Sequence, residues 1–191
     1  MWLSDTAWDE IQSNVPIVCV DVFPVQISVS GAVSAVGLIR RVMPGSDDLV
    51  WCPIGGRINH GETLRAGVLR HLGSTLTGAD FDVPADPQPA YVFQWFPAAR
   101  DDDGLAYGVD PRRHSVGLCF VVAVDGEPVV AETGEALEFC WFDLAEIDAV
   151  ADQVWPELFR RYDARCLCRT DRESELTPRQ RELASRRVLS R

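Results

Sequence analysis

The feature that most constrains this chain is a pair of glycines that separates an extended segment from a helical one, within residues 51–78. The extended piece at 50–54 leads directly into Gly55 and Gly56, and apolar residues then recur at helical spacing from about residue 62 to residue 76. Glycines at such a junction let the backbone approach a ligand closely, and the start of a helix offers unpaired N–H groups to a phosphate. The segment therefore predicts an anion-binding loop between a strand and a helix.

The remainder of the chain predicts several strands placed around that one central helix. Ser4 is suited to cap a short helix at 4–13, and the segment at 97–113 has the length and composition of a surface loop. This mixture favours an α/β sandwich over a doubly wound sheet built from regular βαβ units. We predict strands at 16–25, 35–42, 90–96, 115–124 and 136–142, a short extended piece at 50–54, loops at 43–49 and 77–89, and helices that begin at residue 143 and span 152–166.

The length of the chain, 191 residues, suits one domain, and the charge is divided unevenly along it. Residues 1–164 carry 25 acidic residues and 10 arginines, whereas residues 165–191 carry 4 acidic residues and 8 arginines. We therefore predict a single domain over 1–164, with its core at about 14–150, followed by a basic helical tail. Because an acidic body repels a nucleic-acid backbone, no nucleic-acid partner is expected.

Other features of the sequence bear on the compartment and the partners. No apolar run approaches the ~18 residues that a membrane-spanning helix needs, and the N-terminus lacks the basic residue and apolar stretch of a secretory signal. We expect a cytoplasmic protein without a membrane partner, and the sequence leaves a homodimer open. Four of the six cysteines lie in apolar runs, which is typical of free thiols in a core.

The spacing of three residues in the central segment carries a family resemblance. Five residues separate Gly56 from Glu62, and seven separate Glu62 from Arg70. This pattern resembles the first half of the Nudix box, the loop–helix unit with which Nudix hydrolases hold divalent cations against a pyrophosphate. The resemblance implies a Nudix-type α/β/α sandwich with a mixed β-sheet, and a substrate that contains a nucleoside diphosphate.

The second half of the box departs from the Nudix pattern. His71 stands where the family has its first glutamate, and Ser74 and Thr75 stand where it has the metal-binding pair. Mg²⁺ prefers hard anionic oxygens, which hydroxyls and an imidazole do not replace. Mg²⁺ or Mn²⁺ is therefore an open but disfavoured cofactor, and no set of metal ligands is assigned. The acidic run at 101–103 is either a source of replacement carboxylates or a solvated loop tip.

A narrower resemblance is to the GDP-mannose mannosyl hydrolase branch of the Nudix family, over roughly residues 3–150. It includes the short leading helix, the strand with Asp21, the W-x-P-x-G-G-R segment at 51–57, a late His114 before an aliphatic strand, and the segment at 137–142. In that branch water attacks the sugar carbon rather than phosphorus. The resemblance implies that His114 is the general base, that Asp21 and Arg70 are further catalytic residues, and that Arg57, Gly55, Gly56 and Glu62 bind the substrate.

These residues also have structural interpretations, which the sequence leaves open. Glu62 can complement the dipole of the central helix, Arg70 can pair with a neighbouring glutamate, and a histidine such as His114 is often a structural residue. The sequence favours a divergent hydrolase of a nucleoside diphosphate linked to a sugar or a similar moiety. The alternative is a catalytically silent domain of the same fold that binds a nucleotide or a protein partner.

Overall fold

The computed structural model describes residues 3–98, 107–132 and 134–147. Within these ranges the chain forms three helices and nine strands. In chain order they are α1 (Asp5–Asn14), β1 (Ile17–Ile27), β2 (Val33–Val42), β3 (Leu49–Cys52), β4 (Ile54–Arg57), α2 (Leu64–Thr75), β5 (Leu76–Asp82), β6 (Tyr91–Phe96), β7 (Gly108–Val109), β8 (Ser115–Val130), β9 (Glu138–Asp143) and α3 (Leu144–Ile147).

The nine strands form one mixed sheet with β1 near its centre. β1 runs parallel to β8 and antiparallel to β2 and β4, and the main strand order is β3-β2-β1-β8-β6-β7. β4, β5 and β9 pair with other stretches of β1, β8 and β2. Because these three long strands change partners along their length, the sheet is curled. The predicted mixed sheet of an α/β fold is confirmed.

One hydrophobic core includes side chains from this sheet and from α2. Val20, Val22 and Phe23 of β1 are completely buried, as are Val68 and Leu72 of α2. The burial of apolar side chains from β1 and from one face of α2 holds the helix against the sheet, at roughly 25 cal/mol for each Å² of apolar surface removed from water. This packing fixes the loop before α2 relative to β1.

Most of the predicted elements are present with small shifts of boundary. Ser4 caps α1, and its hydroxyl accepts a hydrogen bond from the backbone N–H of Ala7 at 3.3 Å. The predicted strands correspond to β1, β2, β6, β8 and β9, and β8 extends six residues beyond the predicted end at 124. The predicted helix at 152–166, the basic tail and the acidic run at 101–103 lie outside the described residues.

Three predictions of local structure were wrong. The described end of the predicted surface loop at 97–113 contains β7, which pairs with β6, and the following Asp110 is buried. The predicted loop at 77–89 begins as a strand, because β5 pairs antiparallel with the far half of β8. The register shifts near Gly78, whose φ of +76° favours glycine. This irregularity explains why the residues of the strand have the composition of a turn. The central helix begins at Leu64 rather than at about residue 62, because Thr63 is its N-cap and accepts from the N–H of Ala66.

Candidate active site

A cavity of about 540 Å³ opens between β1, β4, α1 and the segment that leads into β8. Its wall contains five arginines and three acidic residues among the described residues, although the chain as a whole has a net charge of −11. The cavity is therefore a local concentration of positive charge on an acidic protein. The charged and aromatic residues of its wall are Trp8, Asp21, Arg41, Arg57, Arg70, His71, Trp95, Asp110, Arg112, Arg113 and Glu135.

Asp21 extends from β1 into a notch between two glycines. A Cβ atom on Gly55 would lie 2.9 Å from Oδ1 of Asp21, and a Cβ on Gly117 would overlap Oδ2. The indole N–H of Trp95 donates a hydrogen bond to the carboxylate. Burial raises the pKa of Asp21 to about 7, and the Trp95 hydrogen bond opposes that rise. A carboxyl group with this pKa can both accept and release a proton near neutral pH.

Three of the arginines in the wall form ion pairs with carboxylates. Arg41 lies 2.5 Å from Glu135. Arg112 makes two hydrogen bonds to the two oxygens of Asp110, at 2.8 and 2.7 Å, and the backbone N–H of Arg112 adds a third at 3.0 Å. The third pair joins Arg70 to Glu62. These pairs order the wall and offset much of its charge.

Two other arginines, Arg57 and Arg113, lie against the indole ring of Trp8. The guanidinium carbons are 4.5 Å and 5.6 Å from the ring centroid, respectively. Nη1 of Arg113 also donates to the side-chain oxygen of Gln12 at 3.4 Å. Burial and the positive charges of Arg112 and Arg57 lower the pKa of Arg113, against the opposing charge of Asp110. The electrostatic environment of Arg113 therefore favours a bound anion.

The Glu62–Arg70 pair ties the loop before α2 to the helix itself. Nε and Nη2 of Arg70 each donate to a carboxylate oxygen of Glu62 at 2.7 Å, and Nη2 also donates to the carbonyl of Arg57 at 3.0 Å. Glu62 accepts the N–H of Asn59 at 2.9 Å. These hydrogen bonds, led by those from Arg70, lower the pKa of Glu62 to about 2. The pair therefore shapes the loop, and Arg70 reaches the cavity wall from that fixed position.

The donors at the eroded part of the box do not fit a Mg²⁺ site. The hydroxyl of Ser74 donates to the carbonyl of His71, and Nε2 of His71 lies 3.2 Å from the carbonyl oxygen of Arg57. The His71 ring fills the space that a Cβ on Gly56 would need, 2.6 Å from its Cε1. Burial lowers the pKa of His71, so the ring is neutral at pH 7. Over the described ranges, no group of three His, Cys, Asp or Glu side chains could hold a metal ion.

His114 lies beside the cavity without lining it. Its neighbours Arg113 and Ser115 are in the wall, whereas the His114 ring stacks on Phe96 with 4.4 Å between centroids. Its Nε2 is buried and makes no hydrogen bond to any residue that the structure describes. Along an extended chain successive side chains point to opposite sides, which explains the different environments of these three residues.

The structure thus brings together most of the predicted site residues and adds others. Asp21, Gly55, Gly56, Arg57 and Arg70 line the cavity, whereas Glu62 lies behind Arg70. Sequence reasoning missed the other residues of the wall, four of which matter most to the arginine cluster, because their nearness depends on tertiary packing. The available signals were an arginine pair directly before a strong strand and a tryptophan on the leading helix; the four residues are Trp8, Asp110, Arg112 and Arg113.

Comparisons with known proteins place this site in a family context. A family model described as "Domain of unknown function (DUF4916)" matches residues 1–163. No curated protein matches the chain. In the part of the chain that the structure describes, no helix is long and apolar enough to cross a membrane.

Several solved structures have a fold similar to that of this chain. The chain is 29% identical to a possible asymmetric diadenosine tetraphosphate hydrolase from Jonesia denitrificans, with a TM-score of 0.63, over 74% of this chain and 86% of that chain. The Nudix domain of NrtR from Shewanella oneidensis, solved with ADP-ribose, is 18% identical with a TM-score of 0.51, over 83% and 93%. A Nudix hydrolase from Nitrosomonas europaea is 16% identical with a TM-score of 0.52, over 80% and 86%. The predicted Nudix fold is confirmed.

Proposed function

Since this chain belongs to the DUF4916 family, a domain of unknown function that here has the Nudix fold, we propose that it hydrolyses a nucleoside diphosphate linked to a sugar or a similar moiety. The observation that carries the proposal is the cavity in which Arg57 and Arg113 lie on the same wall as the buried carboxyl of Asp21. Cations suit the diphosphate, and a carboxyl group suits proton transfer.

The arginines would act on the leaving group. When the bond to the diphosphate breaks, negative charge grows on the departing oxygen, and guanidinium groups held in place stabilise that charge. The lowered pKa of Arg113 supports this role, because a bound anion would relieve the repulsion from Arg112 and Arg57. Arg112, already paired with Asp110, would contribute less.

The proton of the attacking water would pass to Asp21. The GDP-mannose mannosyl hydrolase resemblance implies His114 as the base, but the stacking of that ring on Phe96, outside the cavity wall, favours the cavity carboxylate. With a pKa of about 7, Asp21 is ionised in about half of the molecules at neutral pH. The described residues provide no carboxylate cluster for Mg²⁺, so no step is assigned to a metal.

The diadenosine tetraphosphate and ADP-ribose named for the similar structures guide the choice of substrates. Both molecules contain linked phosphates attached to a sugar. We propose the same chemical class for this protein, with the identity of the base and the sugar left to assay. Attack at the sugar carbon, as in the GDP-mannose mannosyl hydrolase branch, is the mechanism proposed first.

The test is a product assay against nucleoside diphosphate sugars, ADP-ribose and diadenosine tetraphosphate, each with and without Mg²⁺ or Mn²⁺. Reactions run in ¹⁸O-labelled water report the site of attack: a nucleoside diphosphate without label indicates attack at the sugar carbon, and label in a phosphate group indicates attack at phosphorus. From the nucleoside diphosphate sugars we expect a free sugar and an unlabelled nucleoside diphosphate. Absence of turnover of every compound with every metal would contradict the proposed hydrolase.

Matched variants separate the two candidate bases. Asp21→Asn should reduce kcat by about 10²–10⁴, the usual contribution of a general base. Asp125→Asn, an exposed carboxylate on β8, is its control. His114→Ala should retain most of the turnover, with exposed His60→Ala as its control. Loss of turnover in His114→Ala but not in Asp21→Asn would return the base to His114.

A silent domain that binds a nucleotide is the second candidate function. It is favoured by the loss of the box carboxylates at Ser74 and Thr75, and by the position of His114 outside the wall. A silent binder would be stabilised by nucleotide without forming product, since any ligand that binds only the folded state raises its stability.

A further inference from the structure

We propose that Trp8 is a positioning residue that holds the guanidinium groups of Arg57 and Arg113 ready for a diphosphate, an inference that rests on the function proposed above. Trp8 is on α1, and its ring contacts both guanidinium groups and forms part of the cavity wall. One aromatic side chain from the leading helix thus connects an arginine of β4 with an arginine of the segment before β8.

The contact with the ring leaves the arginines able to bind an anion. The N–H groups of a guanidinium lie in its plane, whereas an aromatic ring attracts the cation over its own face. Stacking therefore restricts the rotamers of Arg57 and Arg113 without occupying all of their donors. Arg113 donates one N–H to Gln12 of the same helix, which restrains it further.

The ring also reduces the cost of placing two cations close together. Both guanidinium groups lie against the same ring, at 4.5 Å and 5.6 Å from its centroid, so their positive charges are close together and repel each other. The negative face of an indole offsets such repulsion in the free protein. A diphosphate carries negative charge on both phosphates, so its oxygens can meet two guanidinium groups at once.

The position of α1 supports a role at the cavity rather than in the core. Every residue of α1 is at least partly exposed, so the helix adds little to the packing that holds the sheet and α2 together. Its described contacts with these arginines are instead made by Trp8, which lines the cavity, and by Gln12, which accepts a hydrogen bond from Arg113. Substitution of Trp8 should therefore change ligand binding more than folding.

The test is calorimetric titration of the full-length protein with inorganic pyrophosphate and with ADP. Trp8→Leu and Trp8→Met remove the aromatic face but keep an apolar side chain, and Trp8→Phe keeps a ring. Thr6→Ala, an exposed change on the same helix, is the matched control. We expect the two non-aromatic variants to bind both probes about threefold to thirtyfold more weakly, with Trp8→Phe and Thr6→Ala close to wild type.

The outcomes separate this inference from the proposed function. If wild-type protein binds neither probe, the proposed diphosphate site itself fails. If wild type binds and the non-aromatic variants bind equally well or more tightly, the site stands and the positioning role of Trp8 is overturned. Unfolding midpoints measured on every variant distinguish a loss of binding from a loss of fold. Binding by Trp8→Phe close to that of wild type would show that the aromatic ring, rather than the bulk of the side chain, is what binding requires.

Discussion

At the scale of single residues, Asp21 is costly to bury and is also the group to which the proposed proton transfer is assigned. A carboxylate removed from water is disfavoured unless it is paired, and the described hydrogen bond from Trp95 offsets only part of that cost. The remaining cost of burying the charge raises the pKa to about 7, because the folded protein favours the protonated acid. Sites that hold an acid at such a pKa are often places of proton transfer.

This leads to a prediction about stability and pH. The pKa of Asp21 is 3.8 in its ordinary state and about 7 in the folded protein, so between these values the folded state binds more protons than the unfolded state. The contribution of Asp21 to stability is therefore greatest below pH 4 and falls as the pH rises through 7. Asp21→Asn should remove that fall and raise the free energy of unfolding at pH 8 by about 4 kcal/mol, because each pKa unit corresponds to about 1.4 kcal/mol.

Urea unfolding of the wild type and of Asp21→Asn at pH 5 and pH 8 measures the effect. The exposed carboxylate variant Asp125→Asn should unfold like the wild type at both pH values. Equal pH dependence in wild type and Asp21→Asn would mean that the carboxyl titrates as it does in water.

At the scale of elements, the loop between β4 and α2 is held by one ion pair. Glu62 connects the N–H of Asn59 to the guanidinium of Arg70, which in turn reaches the carbonyl of Arg57. The side chain of Glu62 is 12% exposed and that of Arg70 is 38% exposed, so the pair is partly screened by water. The pair fixes the shape of the loop that contributes Arg57 to the cavity.

A double-mutant cycle of Glu62→Gln and Arg70→Met should give a coupling energy of about 1 kcal/mol at pH 7. The pKa of Glu62 is lowered from 4.5 to about 2, so the stabilisation is complete above pH 4.5 and is lost as the pH falls towards 2. Unfolding in urea at pH 7 and pH 3 measures both effects. Arg65→Met, another exposed arginine of α2, is the control; coupling that stays the same at pH 3 would contradict the assignment to Glu62.

At the scale of the whole molecule, the net charge of the chain is negative, whereas the charge of the cavity wall is positive. The chain carries a net charge of −11, while five arginines are in the cavity wall among the residues that the structure describes. A diphosphate approaching from solution meets repulsion first and attraction only near the site. The Debye length is about 8 Å at physiological ionic strength, so salt screens the distant repulsion more than the contact attraction.

We therefore expect the association rate of a nucleoside diphosphate to rise as the ionic strength increases from low values towards 0.15 M (about physiological). Stopped-flow fluorescence with a fluorescently labelled ADP measures this rate. An uncharged nucleoside carrying the same label controls for effects of salt on the label. A rate that falls with added salt would mean that the field of the cavity extends far enough to attract the ligand.

The parts of the molecule that follow from local patterns could be predicted from the sequence. The cap at Ser4, the strands β1 and β8, and the helix after Gly56 depend on short-range signals of capping and periodicity. β5 was missed because its Thr, Gly and Asp residues resemble a turn, and only the hydrogen bonds of the long β8 make it a strand.

The candidate site was harder to predict for a physical reason. The spacing of Glu62 and Arg70 is local, so their pairing was among the interpretations that the sequence left open. The contact between Trp8 and Arg113 joins the first helix to a segment near the far end of the domain, and no local pattern encodes it. Successive side chains of an extended segment point to opposite sides, so either His114 or Arg113 faces the cavity. A single sequence does not determine which of the two sides faces the cavity.

The notch around Asp21 also has a consequence for how this chain can change over generations. Side chains larger than hydrogen at Gly55 or Gly117 would collide with the carboxylate, so three positions on three neighbouring strands are tied to one another. An alanine at Gly117 fits only after Asp21 has been replaced by a residue with a shorter side chain. The order of substitutions at Gly117 is thereby set, because loss of the acid permits a larger residue there and regaining the acid then requires glycine first. Gly55 remains glycine in either case, because a Cβ at that position would also overlap the carbonyl oxygen of Val20.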